Sequence, residues 1–172
     1  MNSKTLLIMR HGKADGLIGG RKDIERPLTD LGRRRTGIIA NELKKKKVLP
    51  QFIISSPAAR ALETAQHMAA LLELDSKSMG INDDLYFKTV NDYFDALYAL
   101  PDEYNNIMIV GHNPLITQFA NFFLSQKIVD MPTSGLIALQ SEARTWPEFV
   151  IAFKKALFYL IPKNLENEKT KP

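Results

Sequence analysis

Directly after the apolar run Leu6-Leu7-Ile8-Met9, the chain places an arginine, a histidine and a glycine, Arg10-His11-Gly12. A guanidinium presents five N–H donors in a planar fork that suits a phosphoryl group or a carboxylate. An imidazole offers a nitrogen that is free and nucleophilic near neutral pH. Glycine lets the backbone turn tightly and bring its own N–H close to an anion. Two later stretches repeat this pattern. Phe52-Ile53-Ile54 runs into Ser55-Ser56-Pro57 with Arg60 just beyond, and Ile107-Met108-Ile109-Val110 runs into Gly111-His112-Asn113-Pro114. Two arginines and two histidines gathered above helix N-termini would form a cationic pocket for a dianion.

Such gathering needs a particular scaffold. All-apolar, β-branched runs read as strands buried on both faces of a parallel sheet, whose carboxyl ends carry ligand crevices. Lys13 to Leu28 reads as a loop leaving the first strand. Thr29 caps a helix from about Asp30 to Lys46, in which Gly32 costs about 1 kcal/mol against alanine. Ser56 as N-cap and Pro57 at the first helical position start a helix reaching about Leu72. Arg60 ends its first turn, and helical side chains lean towards the N-terminus, back over the sheet rim. Ser76 to Ile81 signals a short third strand, Asn82 to Tyr86 an acidic turn, and Val90 to Ala99 a helix. Asn113 and Pro114 predict another helix start, running through Leu124. Leu136 to Leu139 and Glu148 to Lys154 read as edge strands, with Ala156 to Ile161 a further apolar segment. Pro162 closes the expected single domain, 1–162, and a polar tail over 163–172 is expected to fray.

Composition bounds the function. The 172 residues suffice for one domain with a real core. There is no cysteine, which excludes disulfides, thiolate catalysis and cysteine zinc sites. The three histidines are scattered, so no metal site is expected. No apolar run is long enough to span a bilayer, and the N-terminus leaves no room for a signal peptide, so cytoplasm is the expected location. The net charge of +4 comes largely from Lys44 to Lys47 and from Lys163, Lys169 and Lys171. A basic run at a helix end complements the macrodipole and stays solvated. Aromatic interleaving and a basic recognition helix are missing, so nucleic acid is not an expected partner.

Taken together, these motifs resemble the histidine phosphatase superfamily, and within it the short bacterial phosphohistidine phosphatases of the SixA type. The resemblance covers about Leu6 to Pro162. It rests on Arg10-His11-Gly12, on Arg26-Pro27-Leu28-Thr29 followed by Gly32, on Ser55-Ser56-Pro57 with Arg60-Ala61 and Thr64-Ala65, and on Gly111-His112-Asn113-Pro114. It implies an α/β fold, a three-layer α/β/α sandwich with a mostly parallel central sheet, phosphoglycerate-mutase-like. It implies that His11 is phosphorylated on nitrogen, that Arg10 and Arg60 clamp the phosphoryl oxygens, and that His112 completes the pocket. Gly12 and Asn113 would support it. No cofactor is implied.

The residue chemistry agrees with that assignment. A neutral imidazole attacks phosphorus, positive groups stabilise the equatorial oxygens, and water then cleaves the phosphohistidine. His112 would hydrogen-bond one oxygen, most strongly as imidazolium. The general acid is thinly signalled: Asp84, Asp83 and Asp23 are in reach, and each also reads as a turn or ion-pair residue. Met79 to Tyr86 is too short for a substantial lid. An open pocket suits a phosphorylated protein side chain, phosphohistidine above all, on a monomeric enzyme that needs no metal. A phosphatase of small phosphorylated metabolites is the alternative within the class. A catalytically weak phosphoprotein-binding module is the alternative outside it.

Overall fold

The computed structural model describes residues 3–17 and 19–169. In chain order the elements are β1 (Lys4–Arg10), α1 (Asp30–Lys46), β2 (Phe52–Ser55), α2 (Ala59–Leu71), β3 (Met79–Ile81) and α3 (Val90–Tyr98). They continue as β4 (Asn106–Gly111), α4 (Leu115–Phe123), β5 (Leu136–Ser141), α5 (Trp146–Ile151), β6 (Lys155–Leu160) and α6 (Pro162–Lys169). Two 3-10 turns, Asp23–Glu25 and Asp83–Leu85, sit in the connections.

One six-stranded sheet in the order β3-β2-β4-β1-β5-β6 organises the chain. The first four strands in that order are parallel, and β5 and β6 join antiparallel. Side chains alternate between two cores, as the strand period of two requires. Leu6 and Ile8 of β1, with Ile107 and Ile109 of β4, meet Tyr93, Ile116, Phe119, Trp146 and Phe149 from α3, α4 and α5. Leu7, Met9, Met108 and Val110 meet Ile39, Leu43, Ala65 and Met68 from α1 and α2. Two buried faces explain why these strands read as unbroken apolar runs. The result is the three-layer α/β/α arrangement.

Register sets the site. In β1–β4 pairing Arg10 lies opposite Gly111, and in β2–β4 pairing Ser55 lies opposite Val110. The carboxyl ends of three adjacent parallel strands therefore bring Arg10-His11, Ser56 and His112 to one rim. Gly32 has a packing reason: a Cβ there would stand 2.3 Å from the Lys13 carbonyl oxygen. The first turn of α1, with Thr29 accepting the Gly32 N–H at 3.0 Å, thus presses on the backbone just past His11.

Several expectations fail locally, each for a physical reason. Glu148 to Lys154 is not a strand. Thr145 caps α5 by accepting the Glu148 N–H, and Trp146, Phe149 and Val150 bury at helical spacing; a short apolar run does not declare its period. Neither Ser56 nor Asn113 caps a helix. The structure starts α2 at Ala59 and α4 at Leu115, with no side-chain cap on either, because both polar side chains are used at the site described below. The segment after Pro162 does not fray over its described length but forms α6. Its Glu166 pairs with Arg34 at 3.1 Å and Arg35 at 3.0 Å on α1, and Leu165 packs on the core. Residues 170–172 of the expected tail, Lys171 included, lie outside the described residues. In the basic run, Lys44 meets Glu73, Lys45 meets Glu42, and Lys46 lies over the Phe158 ring. Among the described residues no helix is long and apolar enough to cross a membrane.

Candidate active site

His11 follows the last residue of β1 and is 8% exposed. Its Nδ1 lies 2.7 Å from the Gly12 carbonyl oxygen, and Arg60 Nε–H donates to its Nε2 at 3.3 Å. A carbonyl only accepts and a guanidinium only donates, so this network assigns the proton to Nδ1 and a lone pair to Nε2. Burial, opposed by the Gly12 hydrogen bond and reinforced by the charges of Arg60, Arg10 and Arg26, pushes the His11 pKa down to about 3. The ring is therefore neutral at physiological pH, with its lone pair on Nε2.

Arg60 is 2% exposed, and each of its three nitrogens donates to a polar partner. Besides His11, its Nη1 donates to the Asp23 carbonyl at 2.7 Å and its Nη2 to Asp23 Oδ2 at 2.9 Å. Asp23 also takes Arg26 Nη1 at 2.9 Å and the Tyr86 hydroxyl at 2.9 Å. Partial burial raises its pKa, but the hydrogen bonds from Arg26, Tyr86 and Arg60 outweigh that and hold it at about 2. Asp23 is thus the counter-ion that orients Arg60, with no proton to give at neutral pH. Asp83 and Asp84 are exposed on their 3-10 turn, where Asp84 pairs with Lys88. Neither carboxylate is hydrogen-bonded to Arg10, His11, Arg60 or His112.

His112 is fully buried, its ring centroid 4.9 Å from that of His11. Its Nε2 lies 2.7 Å from Ser56 Oγ, while its Nδ1 is buried without a partner. Burial first, then the neighbouring His11, Arg60 and Arg10, against Asp23, push its pKa down to about 2. His112 is therefore neutral and not the imidazolium that would hold a phosphoryl oxygen most strongly. Its backbone N–H donates to the Tyr93 hydroxyl at 3.1 Å, and a Cβ on Gly111 would fall 2.1 Å from that oxygen. Tyr93 therefore fits only against glycine there.

Arg10 and Asn113 share a loop. Arg10 Nη1 donates to the Met131 carbonyl at 2.7 Å and meets Asp130 Oδ2 at 3.4 Å. Asn113 Nδ2 donates to the same carbonyl at 3.0 Å and to Asp130 Oδ1, and Thr117 donates to Asn113 Oδ1. Arg10 Nε is buried without a partner. The Gly12 N–H, expected to face an anion, instead donates to Thr64 Oγ1 at 2.9 Å, and that hydroxyl donates to the Arg60 carbonyl at 2.6 Å. Buried polar atoms are rarely left unpaired, so Arg10 Nε and His112 Nδ1 mark where a polar ligand belongs.

Stability should follow these histidines. Both have folded pKa values far below the ordinary 6.5 of the unfolded chain. Between about pH 6.5 and 3 the unfolded state binds more protons, so stability is full above the window and falls as pH drops through it. The expected loss is on the order of 1 kcal/mol per pH unit per histidine. Urea unfolding followed at pH 7.5, 6 and 4.5 measures this, and removing His112 as His112→Asn should flatten the slope.

A family model for the histidine phosphatase superfamily (branch 1) matches residues 6–85. Phosphohistidine phosphatase SixA of Escherichia coli K12 is 30% identical over 112 residues, covering 64% of this chain and 68% of that one. The chain belongs to the histidine phosphatase superfamily. A solved structure of protein histidine phosphatase SixA complexed with tungstate superposes on this histidine phosphatase with a TM-score of 0.78 at 26% identity, over 94% of this chain and 99% of that one. A mycobacterial glucosyl-3-phosphoglycerate phosphatase shares the fold at TM-score 0.61 and 16% identity, over 90% and 97% of the two chains.

This histidine phosphatase thus brings Arg10, His11, Arg60 and His112 together. The supports Ser56, Thr64, Tyr93 and Asp130 were not legible in the sequence as site residues. Nor were Tyr86 and Phe87, although two aromatic residues in a loop after a short parallel strand are a signal of a pocket wall. The Phe87 ring lies 4.9 Å from the His112 ring, and the Arg60 guanidinium carbon 5.8 Å from the Phe87 centroid.

Proposed function

We propose that this phosphatase works through a phosphohistidine at His11 Nε2 and removes phosphate from phosphohistidine carried on a protein. The observation that carries the chemistry is the pairing of a nucleophilic lone pair with two unpartnered nitrogens. His11 Nε2 accepts only the long bond from Arg60 Nε–H at 3.3 Å, and Arg10 Nε and His112 Nδ1 are buried without a partner. In this reading the Ser56 hydroxyl, 2.7 Å from His112 Nε2, donates to it, and the proton of the neutral ring sits on Nδ1 for a phosphoryl oxygen.

The lone pair of His11 Nε2 forms a bond to phosphorus as the bond from phosphorus to the substrate nitrogen breaks. A substrate imidazole already protonated on its other nitrogen leaves neutral, so no placed acid is required. The Nδ1–H of the resulting phosphoimidazolium stays on the Gly12 carbonyl. Bonding at Nε2 also releases the Arg60 Nε–H to a phosphoryl oxygen, where charge is greatest in the transition state. Water then attacks phosphorus, the P–Nε2 bond breaks, and its proton passes to phosphate or solvent.

The protein-borne substrate is supported by two features. Between α2 and β4 the chain carries only β3, a 3-10 turn and α3, with no inserted cap. The solved structure of protein histidine phosphatase SixA superposes over 94% of this chain. Among the described residues no group of three metal-ligating side chains forms, and turnover is proposed to be metal-independent.

The test is competition for kcat/KM among a phosphohistidine protein, free phosphoramidates, phosphoserine and phosphotyrosine peptides, and sugar phosphates and nucleotides, before and after exhaustive chelation. Phosphohistidine should lead, with the rate unchanged by chelation. A metabolite preferred more than tenfold over every phosphohistidine substrate overturns the substrate assignment. Loss on chelation, restored by a stoichiometric divalent ion, overturns the mechanism. Saturable binding of phosphoprotein without turnover would show a binding module.

A further inference from the structure

Phe87 has φ +50°, in the left-handed region that bulky side chains avoid. Such conformations persist where the surroundings over-determine them, and they cluster at ligand clamps. The surroundings here are aromatic and cationic: Tyr86 at 5.0 Å, His112 at 4.9 Å and the Arg60 guanidinium at 5.8 Å. Tyr86 is itself fixed, its hydroxyl on Asp23 and its ring edge-on to His112 at 5.7 Å. Despite three contacts, Phe87 remains 48% exposed, while His112 and Arg60 beneath it are buried. A large apolar ring is thus held at the mouth of a polar pocket with about half its surface in water.

We infer that Phe87 is the wall of a leaving-group subsite that takes a planar ring. This rests on the proposed reaction at His11. Displacement at phosphorus sends the leaving group away from His11 Nε2, and Phe87 borders His112 and Arg60, two of the three residues that would hold the phosphoryl oxygens. The first atoms of the leaving group therefore pass the Phe87 ring. The imidazole ring of a phosphohistidine, or the phenyl ring of a phosphotyrosine, presents a face to it, and offset or edge-on aromatic contact adds to apolar burial. A primary amine or alkyl alcohol presents no such face.

The experiment uses peptides of one sequence carrying phosphohistidine or phospholysine, both P–N bonds, and phosphotyrosine or phosphoserine, both P–O bonds. The readout is the ring-to-alkyl ratio of kcat/KM within each pair, for wild type, Phe87→Leu and Phe87→Gly. Glycine accepts φ +50° freely, so that variant keeps the loop even where leucine disturbs it. Both variants should lower the ratio about tenfold, the upper range of one aromatic contact, with the alkyl substrates within twofold of wild type. An unchanged ratio, or equal losses on ring and alkyl substrates in Phe87→Gly, overturns the subsite. The two readings fail separately. A phosphohistidine preference that is independent of Phe87 removes only the subsite. A Phe87-dependent preference for aryl phosphates, with phosphohistidine untouched, removes only the phosphohistidine substrate.

Discussion

A His11→Asn protein is expected to lose at least about four orders of magnitude in turnover and all covalent labelling, the scale seen when a nucleophile is removed from an otherwise intact site. Asparagine keeps a polar group near the Gly12 carbonyl but has no lone-pair nitrogen to offer phosphorus. Rapid quench of the wild type with a labelled phosphodonor should trap phosphate that is labile in acid and stable in alkali. The variant should trap none, while still binding phosphate through Arg10, Arg60 and His112. It should also be more stable than wild type near pH 5, because the unfolded chain no longer gains a proton at this position that the folded chain refuses. Equal labelling of wild type and variant would place the phosphate elsewhere. Loss of labelling with unaltered turnover would reject a covalent route altogether.

Arg60→Ala is expected to cost about 10²–10³ in kcat, the range for losing one preorganised donor to a developing oxyanion. The side chain does two things at once. Its Nε–H faces the attacking nitrogen, and its charge is among the causes that keep His11 unprotonated. Removing it should therefore also move the acid limb of the pH–rate profile upward, a shift that loss of oxyanion stabilisation alone does not produce. Arg60→Lys separates the two. An ammonium retains much of the charge but cannot span Asp23 Oδ2, the Asp23 carbonyl and the phosphoryl oxygen with a fixed fork. It should keep the pH profile near wild type while recovering only part of kcat. Asp23 retains Arg26 and the Tyr86 hydroxyl in either variant, so gross unfolding is not expected. Wild-type turnover in Arg60→Ala would show that its guanidinium does not meet the reacting group.

Much of this protein is determined locally. Leu6 to Met9 and Ile107 to Val110 read as strands buried on both faces, because each apolar run is short and stops at a glycine-bearing turn before reaching helical length. The residue types after them, a guanidinium and two imidazoles at strand ends, already specify an anion pocket. Helix boundaries were less legible wherever a polar residue had a distant partner. Ser56 and Asn113 have the chemistry of N-caps, yet Ser56 Oγ lies on His112 Nε2, and Asn113 holds Asp130 and Met131. A capping bond is worth about 1 kcal/mol, and a buried imidazole nitrogen left bare costs as much or more. Glu148 to Lys154 reads as a strand for the related reason that seven residues do not reveal whether their period is 2 or 3.6.

Only the tertiary structure decided protonation and orientation. Whether Nδ1 or Nε2 of His11 carries the lone pair depends on the Gly12 carbonyl on one side and Arg60, 49 residues away, on the other. His112 is neutral, not cationic, because burial, with His11 and Arg10 from one segment of chain and Arg60 from another, disfavours its protonated form. Asp23 is held ionised as a counter-ion because Arg26, Tyr86 and Arg60 converge on it. Spacing along a chain dictates which side chains leave which element. The dielectric around them, and the partners that cross the rim, exist only once the sheet has brought its parallel ends together.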